Sequence, residues 1–350
     1  MKAKFLQANN GDCIILNFKD SDGCQRNVII DGGTSSTYQY KGKKGKIENG
    51  ALKEALETID NIDLLIITHI DDDHIAGILK WFENDNNAHK KVRRIWFNSG
   101  ELISEIFDKQ PKTNFEPIIK VIKDKDTSVN QGVKFNKIIK QHNIWEEKLI
   151  CSLQVIEIFN GTKFTILSPN NNSLEKLLTK WKKEDKTLNT SKSDDYNIPL
   201  KNHIKNDEFE EDTSIPNGSS IAFIFECEGK KALFLGDSYP SIIIENLKQL
   251  NYSNNNKLEV EFVKLSHHGS KSNTNYDLLE MINTNKYIIS TNGNGHKHPH
   301  KQCLARIINN NNHAELFFNY KSLSEKIFLE EDFAEFKHFK VISIDNEVVI

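Results

Sequence analysis

Residues 63–74 read DLLIITHIDDDH. Behind Asp63 stands a short, purely apolar run with the length and composition of a buried strand. Directly after it come His69, Asp71, Asp73 and His74, four side chains that can ligate a metal. Imidazole suits zinc and other transition metals, and carboxylate adds a hard, charged oxygen. Residues 75–82 (IAGILKWF) have helical spacing, so the four ligand-type residues sit in a tight loop between a strand end and a helix start. Three carboxylates within three residues repel one another unless a cation or hydrogen bonds offset them. Capping of the following helix would explain one acid, Asp73, and neither histidine.

The rest of the chain repeats this chemistry at a distance. Seven of the twelve histidines fall in three short windows: His69 and His74, then His267 and His268, then His296, His298 and His300. Residues 235–238 (LGDS) place Asp237 at the end of another apolar strand. Residues 263–271 (VKLSHHGSK) carry adjacent histidines out of a strand into a Gly-containing loop. A buried pair of imidazoles with no ligand is costly to satisfy, and adjacent histidines suit one metal ligand and one group facing substrate.

Outward from these motifs, apolar runs at 2–7, 13–18 and 27–31 read as strands and 51–59 as a helix, with strands at 63–68 and 94–97. Helical segments are expected at 115–123 and 133–142. Residues 155–159 and 163–167 resemble a hairpin around Asn160-Gly161. The stretch 170–212 is polar, with one short amphipathic helix near 174–181, and its remainder reads as a mobile loop because so few apolar residues cannot offset the ordering entropy. Strands at 220–226, 231–235, 259–265 and 286–290 then alternate with helices at 240–250, 276–282 and 301–308, and the tail from 314 reads as closing strands. Strands alternating with helices argue for a layered α/β fold.

Composition narrows the classes. The chain has 350 residues, 37% of them hydrophobic and 27% charged, which suffices for a substantial core and excludes a disordered chain. A net charge of −3 excludes a bulk basic field, so any nucleic-acid contact must use local patches. Two such runs exist, 41–46 (KGKKGK) and 90–94 (KKVRR), each equally readable as a solvated surface. The five cysteines show no C-x-x-C pairing and read as reduced thiols. With no signal-peptide pattern at the start and no apolar run near ~20 residues, the expected setting is cytoplasmic, without a membrane.

Taken together, these strings resemble the metallo-β-lactamase-fold hydrolase superfamily, whose hallmark is H-x-H-x-D-H after a strand, followed by a later Asp and a late His. More narrowly, the chain is similar to the soluble hydrolase domain of ComEC-type DNA-uptake proteins and their stand-alone relatives. Supporting strings are Gly11-Asp12-Cys13, Ile30-Asp31-Gly32-Gly33, Asn217-Gly218-Ser219-Ser220, Gly236-Asp237, His267-His268-Gly269-Ser270-Lys271 and His298-Pro299. Their order spans residues 5–308, with 101–212 unmatched. The expected organisation is therefore one domain over 1–350, with family-unmatched insertions inside 101–212 that offer a surface for a protein partner.

The resemblance implies a four-layer αββα sandwich, an α/β (α+β) fold with the site at one sheet edge. It implies two divalent metal ions, zinc or alternatively manganese, and a water between them activated to hydroxide. Carried over residue by residue, His69 and Asp71 hold the first metal. Asp73, His74 and His267 hold the second, and Asp237 bridges. Asp31 orients a ligand from behind, and Ser270 and Lys271 contact substrate oxygens. Asp73, His268 and His298 supply proton transfer or transition-state contacts. Three departures stand out: Asp71 replaces the second His of the hallmark, the middle His has no match beyond the poorly placed His203, and the membrane segments of ComEC-type proteins are absent. The expected activity is metal-dependent hydrolysis, of a phosphodiester or nucleic acid. The alternatives are a carboxylic ester, lactone, thioester or amide, and a partner-binding regulator of a multi-gene stress or defence system.

Overall fold

In the computed structural model of this chain, residues 1–107, 128–182, 193–344 and 347–349 are described; the helix expected at 115–123 lies outside them. Two sheets form the centre. One has six strands in the order Glu347–Val349, Lys2–Phe5, Ile14–Lys19, Gln25–Ile30, Leu64–Ile66, Ile95–Trp96. The other has eight, in the order Lys340–Ser343, Glu315–Phe318, Lys286–Ile289, Val263–Lys264, Lys230–Phe234, Ala222–Cys227, Thr162–Ser168, Val155–Ile156.

The apolar alternation along the strands makes the layers. Ile14, Leu16, Phe18, Val28, Ile30, Leu64 and Ile66 turn inward and meet Phe164, Ile166, Phe223, Phe225 and Phe234 of the opposite sheet. Their neighbours Ile15, Ile29 and Leu65 turn outward and pack under helices Ala51–Thr58, Asp72–Asn84, Gly100–Phe107 and Ser128–Gln141. On the far side, Leu233, Val263, Tyr287 and Ile289 are covered by helices Pro240–Gln249, Tyr276–Glu280 and Lys301–Asn310. Strands buried on both faces must be apolar at every position, which is why 63–68 shows no polar alternation. The architecture is the αββα sandwich.

Several local expectations need correction. The strand expected at 259–265 is two: Leu258–Glu259 pairs with Ile282–Asn283, and only Val263–Lys264 enters the main sheet. The helix expected at 276–282 accordingly stops at Glu280. The tail holds helices Lys321–Ser324 and Glu330–Glu335 between its strands. Residues 193–212 are not a loose loop. They contain helix Leu200–Lys205 and are tied down by their acids: Asp195 accepts from the backbone of Lys301 and Gln302, and Asp207 pairs with the buried Arg306. Thr162–Ser168 is integral to the larger sheet, so the part of 101–212 outside the sandwich is narrower than the sequence suggested. No described helix is long and apolar enough to cross a membrane.

Candidate metal centre

Strands Gln25–Ile30 and Leu64–Ile66 run parallel in one sheet, as do Lys230–Phe234, Val263–Lys264 and Lys286–Ile289 in the other. Their carboxyl ends open on the same rim, and four of the five are followed by a ligand-type residue: Asp31, His69, Asp237 and His267. The backbone is bent to suit. Asp31, His267 and His268 all have left-handed φ, at 57°, 47° and 54°. Non-glycine residues held there cost about 1–3 kcal/mol each and cluster at functional sites. Consecutive left-handed residues let both imidazoles face the rim, with ring centroids 6.0 Å apart. Gly11 has no room for a side chain, since a Cβ would stand 1.8 Å from the Asp73 carbonyl oxygen. That close approach lets the Asp12 amide donate to the same carbonyl at 3.2 Å and brings Asp12 to the rim.

The four histidines share one arrangement. Each ring nitrogen Nδ1 is engaged by the protein: His74 with Asp31 Oδ2 at 2.8 Å, His69 with Thr68 Oγ1 at 3.0 Å, His268 with the Ser290 carbonyl at 3.0 Å, and His267 with Asn273 Oδ1 at 3.1 Å. The other nitrogens point inward. His69, His74 and His268 keep a buried Nε2 with no hydrogen-bond partner, and Asp237 Oδ1 and Asp12 Oδ1 are in the same condition. Buried polar atoms are normally satisfied, so five such atoms at one place mark a ligand position. An imidazole oriented through one nitrogen, with the other free, is the usual state of a metal-ligating histidine.

Asp237 divides the cluster. Its Oδ2 stands 3.7 Å from His69 Nε2 and 3.7 Å from His267 Nε2; Asp71 Oδ2 lies 3.7 Å from His69 Nε2. Its Oδ1 stands 3.4 Å from His74 Nε2, and Asp73 approaches His74 at 3.9 Å and His268 Nε2 at 3.6 Å. One atom from each of Asp12, His74, Asp237 and His268 fits within 4.8 Å of the others. The structure thus puts His268, and not His267, beside Asp73 and His74. His267 shares Asp237 Oδ2 with His69, which in turn faces Asp71. His203 is remote from this group, its Nε2 bonded to the Asp195 carbonyl.

Electrostatics follow from this packing. Burial would raise Asp237, but His74, His267 and His268 outweigh it and hold the carboxyl well below the usual range. Asp73 is lowered against burial by His268 and His74, and Asp12 by Lys264 and His268. Burial would lower His268, yet Asp12 and Asp237 hold it up at about 9; Asp237 and Asp31 likewise raise His74. His69 is lowered by burial and by the charge of His74. His298 is pushed well below the ordinary imidazole value by burial and by His267 and His300.

The remaining expected site residues sit around this core. His298 packs edge-on to His267, ring centroids 4.4 Å apart. Ser270 is buried and its Oγ accepts from the Ser272 amide, while Lys271 is exposed at the rim. Asp31 sits behind His74 and also accepts from the Thr68 amide and hydroxyl. Asp71, not Asp73, stands at the N-cap of helix Asp72–Asn84, and its side chain makes no capping bond. Instead Asp71 Oδ1 accepts from Ser128 Oγ at 2.8 Å. Sequence reasoning assigned no role to Asp12, Lys264, Asp212 or Ser128. Asp12 forms a buried 2.7 Å ion pair with Lys264, and Asp212 lies 3.3 Å from His267 Nδ1.

Residues 9–142 match the family model described as Metallo-beta-lactamase superfamily. Among solved structures, the chain is similar to CmlA, a diiron beta-hydroxylase from Streptomyces venezuelae, at 11% identity and TM-score 0.44. That match covers 100% of this chain and 54% of CmlA, so the chain spans about half the length of that protein. It is also similar to a diphosphatase from the PhnP family (10% identity, TM-score 0.42, 99% and 97% covered). Zn(2+)-bound PqqB from Methylobacterium extorquens matches at 11% identity and TM-score 0.40, with both chains fully covered. No curated protein sequence matches.

Proposed function

We propose that this protein is a metal-dependent hydrolase with a dinuclear centre, acting on a phosphodiester. The observation that carries the reading is the paired orientation of the histidines: Nδ1 held by the protein, with Nε2 of His69, His74 and His267 aimed at the two oxygens of Asp237 and that of His268 at Asp73. His69, Asp71, His267 and Asp237 would hold one divalent cation, and Asp73, His74, His268, Asp12 and Asp237 the other. Asp71 adds a hard oxygen where the family pattern has imidazole, which favours manganese alongside zinc. Bound cations of this kind supply Lewis acidity and lower the pKa of water.

The chain's own groups do the rest. Asp73 is positioned by Asn10, whose Nδ2 donates to its Oδ2 at 3.0 Å, and accepts the water proton at the opposite oxygen. His298, neutral because its pKa is depressed, donates an N–H hydrogen bond to the leaving oxygen. Lys271 at the rim draws an anionic substrate in, which favours a phosphodiester over a neutral ester. The ordered strings from Gly11-Asp12 to His298-Pro299 support kinship with the ComEC-type hydrolase domains.

The test is turnover of a chromogenic phosphodiester, with lactone, thioester and aryl ester controls, by zinc- or manganese-loaded protein. Phosphodiester hydrolysis well above that of Asp73→Ala is expected. Equal rates for the two proteins contradict the reading, and turnover of a control ester alone moves the substrate class. A second expectation concerns Ser128. Orienting partners of metal ligands are worth roughly 10–100-fold in affinity, so Ser128→Ala should weaken the Asp71-side cation by about tenfold and spare the other. Competition against a chromogenic chelator resolves the two sites, and equal affinities in both proteins would remove Ser128 from the account.

A further inference from the structure

The two basic runs of the sequence meet different fates in the fold. In the 90–94 run, Lys91 Nζ caps backbone carbonyls of Leu56 and Ile59, Arg93 pairs with Asp63, and Arg94 faces Glu146. That run is largely consumed by the structure. The 41–46 run is not. It forms the tip of a β-hairpin in which Gln39–Lys41 pairs with Ile47–Asn49, and the turn closes through Gly42 and Gly45. Lys41, Lys43, Lys44 and Lys46 are all exposed, and none makes an ion pair with a described residue.

Charge and surface chemistry distinguish this hairpin from the rest of the molecule. Residues 39–49 carry four lysines against one acid, Glu48, in a chain whose net charge is −3. Beside the lysines, Tyr40 is 43% and Ile47 61% exposed. An aromatic ring next to a row of unpaired cations suits a polyanion whose units also have flat faces.

The hairpin is rooted beside the metal centre. It follows Asp31-Gly32-Gly33 and the helix Ser35–Tyr38, which packs on helix Asp72–Asn84. Asn9 Nδ2 donates to Thr34 and Ser36 at the hairpin's base, at 3.1 and 3.0 Å. The next residue, Asn10, donates to Asp73 inside the centre. The segment leading into the lysine hairpin is therefore tied through Asn9 to the loop that holds Asp73, the candidate proton acceptor.

We propose that the hairpin of residues 39–49 is a nucleic-acid-binding arm that holds a single strand by its phosphates and leads it to the centre. This rests on the phosphodiester reading for its destination, but binding is separable from turnover. The single strand is favoured over a membrane surface because Tyr40 and Ile47 are the only large exposed apolar side chains among residues 39–49, too little to insert.

The test uses full-length protein carrying Asp73→Ala, so that bound DNA is not cut, and a fluorescein-labelled 30-nucleotide single strand read by anisotropy. Adding Lys41→Gln, Lys43→Gln, Lys44→Gln and Lys46→Gln should weaken binding by roughly 10–100-fold and reduce the log–log salt slope by about 3, from ~0.7 per phosphate contact. The same four changes in the wild-type background should leave the rate on a small chromogenic phosphodiester unchanged. Unaltered affinity and slope overturn the proposal, as does lysine-dependent binding to phosphatidylserine vesicles without binding to DNA. If the wild-type chain fails to cleave the small ester while DNA binding still depends on the lysines, the hydrolase reading falls and the arm stands.

Discussion

Replacing Asp237 by asparagine is expected to abolish both metal sites together. Its two oxygens face different histidine groups, Oδ2 toward His69 and His267 at 3.7 Å and Oδ1 toward His74 at 3.4 Å, so neither half keeps its full ligand set. The neutral amide also removes the negative charge that balances His74, His267 and His268. Phosphodiester kcat/KM should fall by roughly 10³-fold, the scale of losing a central electrostatic contact in a water-excluded site. Bound metal should fall below one equivalent by elemental analysis. The Asp237 backbone N–H donates to Ser220 Oγ at 3.0 Å, a contact that survives the substitution, so circular dichroism should report a folded chain. A variant that keeps two equivalents of metal would show that Asp237 does not bridge.

Arg306→Met should be the most destabilising single change away from the centre. The guanidinium is 1% exposed and donates to Asp207 through Nε, at 2.9 Å to each oxygen, and through Nη2 at 2.8 Å. It also reaches the carbonyls of Thr274 at 2.7 Å, Glu208 at 3.2 Å and Lys271. One side chain thus ties the 193–212 segment to the loop carrying His267 and His268. Removing one partner of a buried pair costs about 3–5 kcal/mol, which urea unfolding would read. The pH dependence has a definite sign. Burial would raise Asp207, but Arg306 outweighs it and lowers the carboxyl, so the pair's contribution is complete above the usual carboxylate pKa of about 3.9. It is lost as pH falls below that value, so the gap between wild type and variant should close in acid. A gap constant from pH 7 to pH 3 would contradict the assignment.

The parts of the fold that were legible in the sequence are those fixed by local pattern. Residues 63–74 announced a doubly buried strand and a ligand loop, because apolar continuity and ligand-type residues are both local signals. What could not be read depends on contacts distant in sequence. Asp12 follows a strand in a Gly-Asp step, yet its meaning comes from Lys264, 252 residues away, and from a glycine that admits the Asp73 carbonyl. His267 and His268 are equivalent as letters, and only the left-handed backbone at both decides which faces Asp73. The polar 193–212 segment has too few apolar residues to predict order. Its order comes from Asp195, Asp207 and Asp212, each anchored on a partner at least 55 residues further along the chain.

We expect the Nε2 atoms and carboxylates of this rim to hold two divalent cations. Elemental analysis of purified full-length protein, loaded with zinc or manganese and freed of loose ions by gel filtration, tests it most directly. Two equivalents of metal per chain are predicted. Retention of none after metal-replete loading would contradict the account.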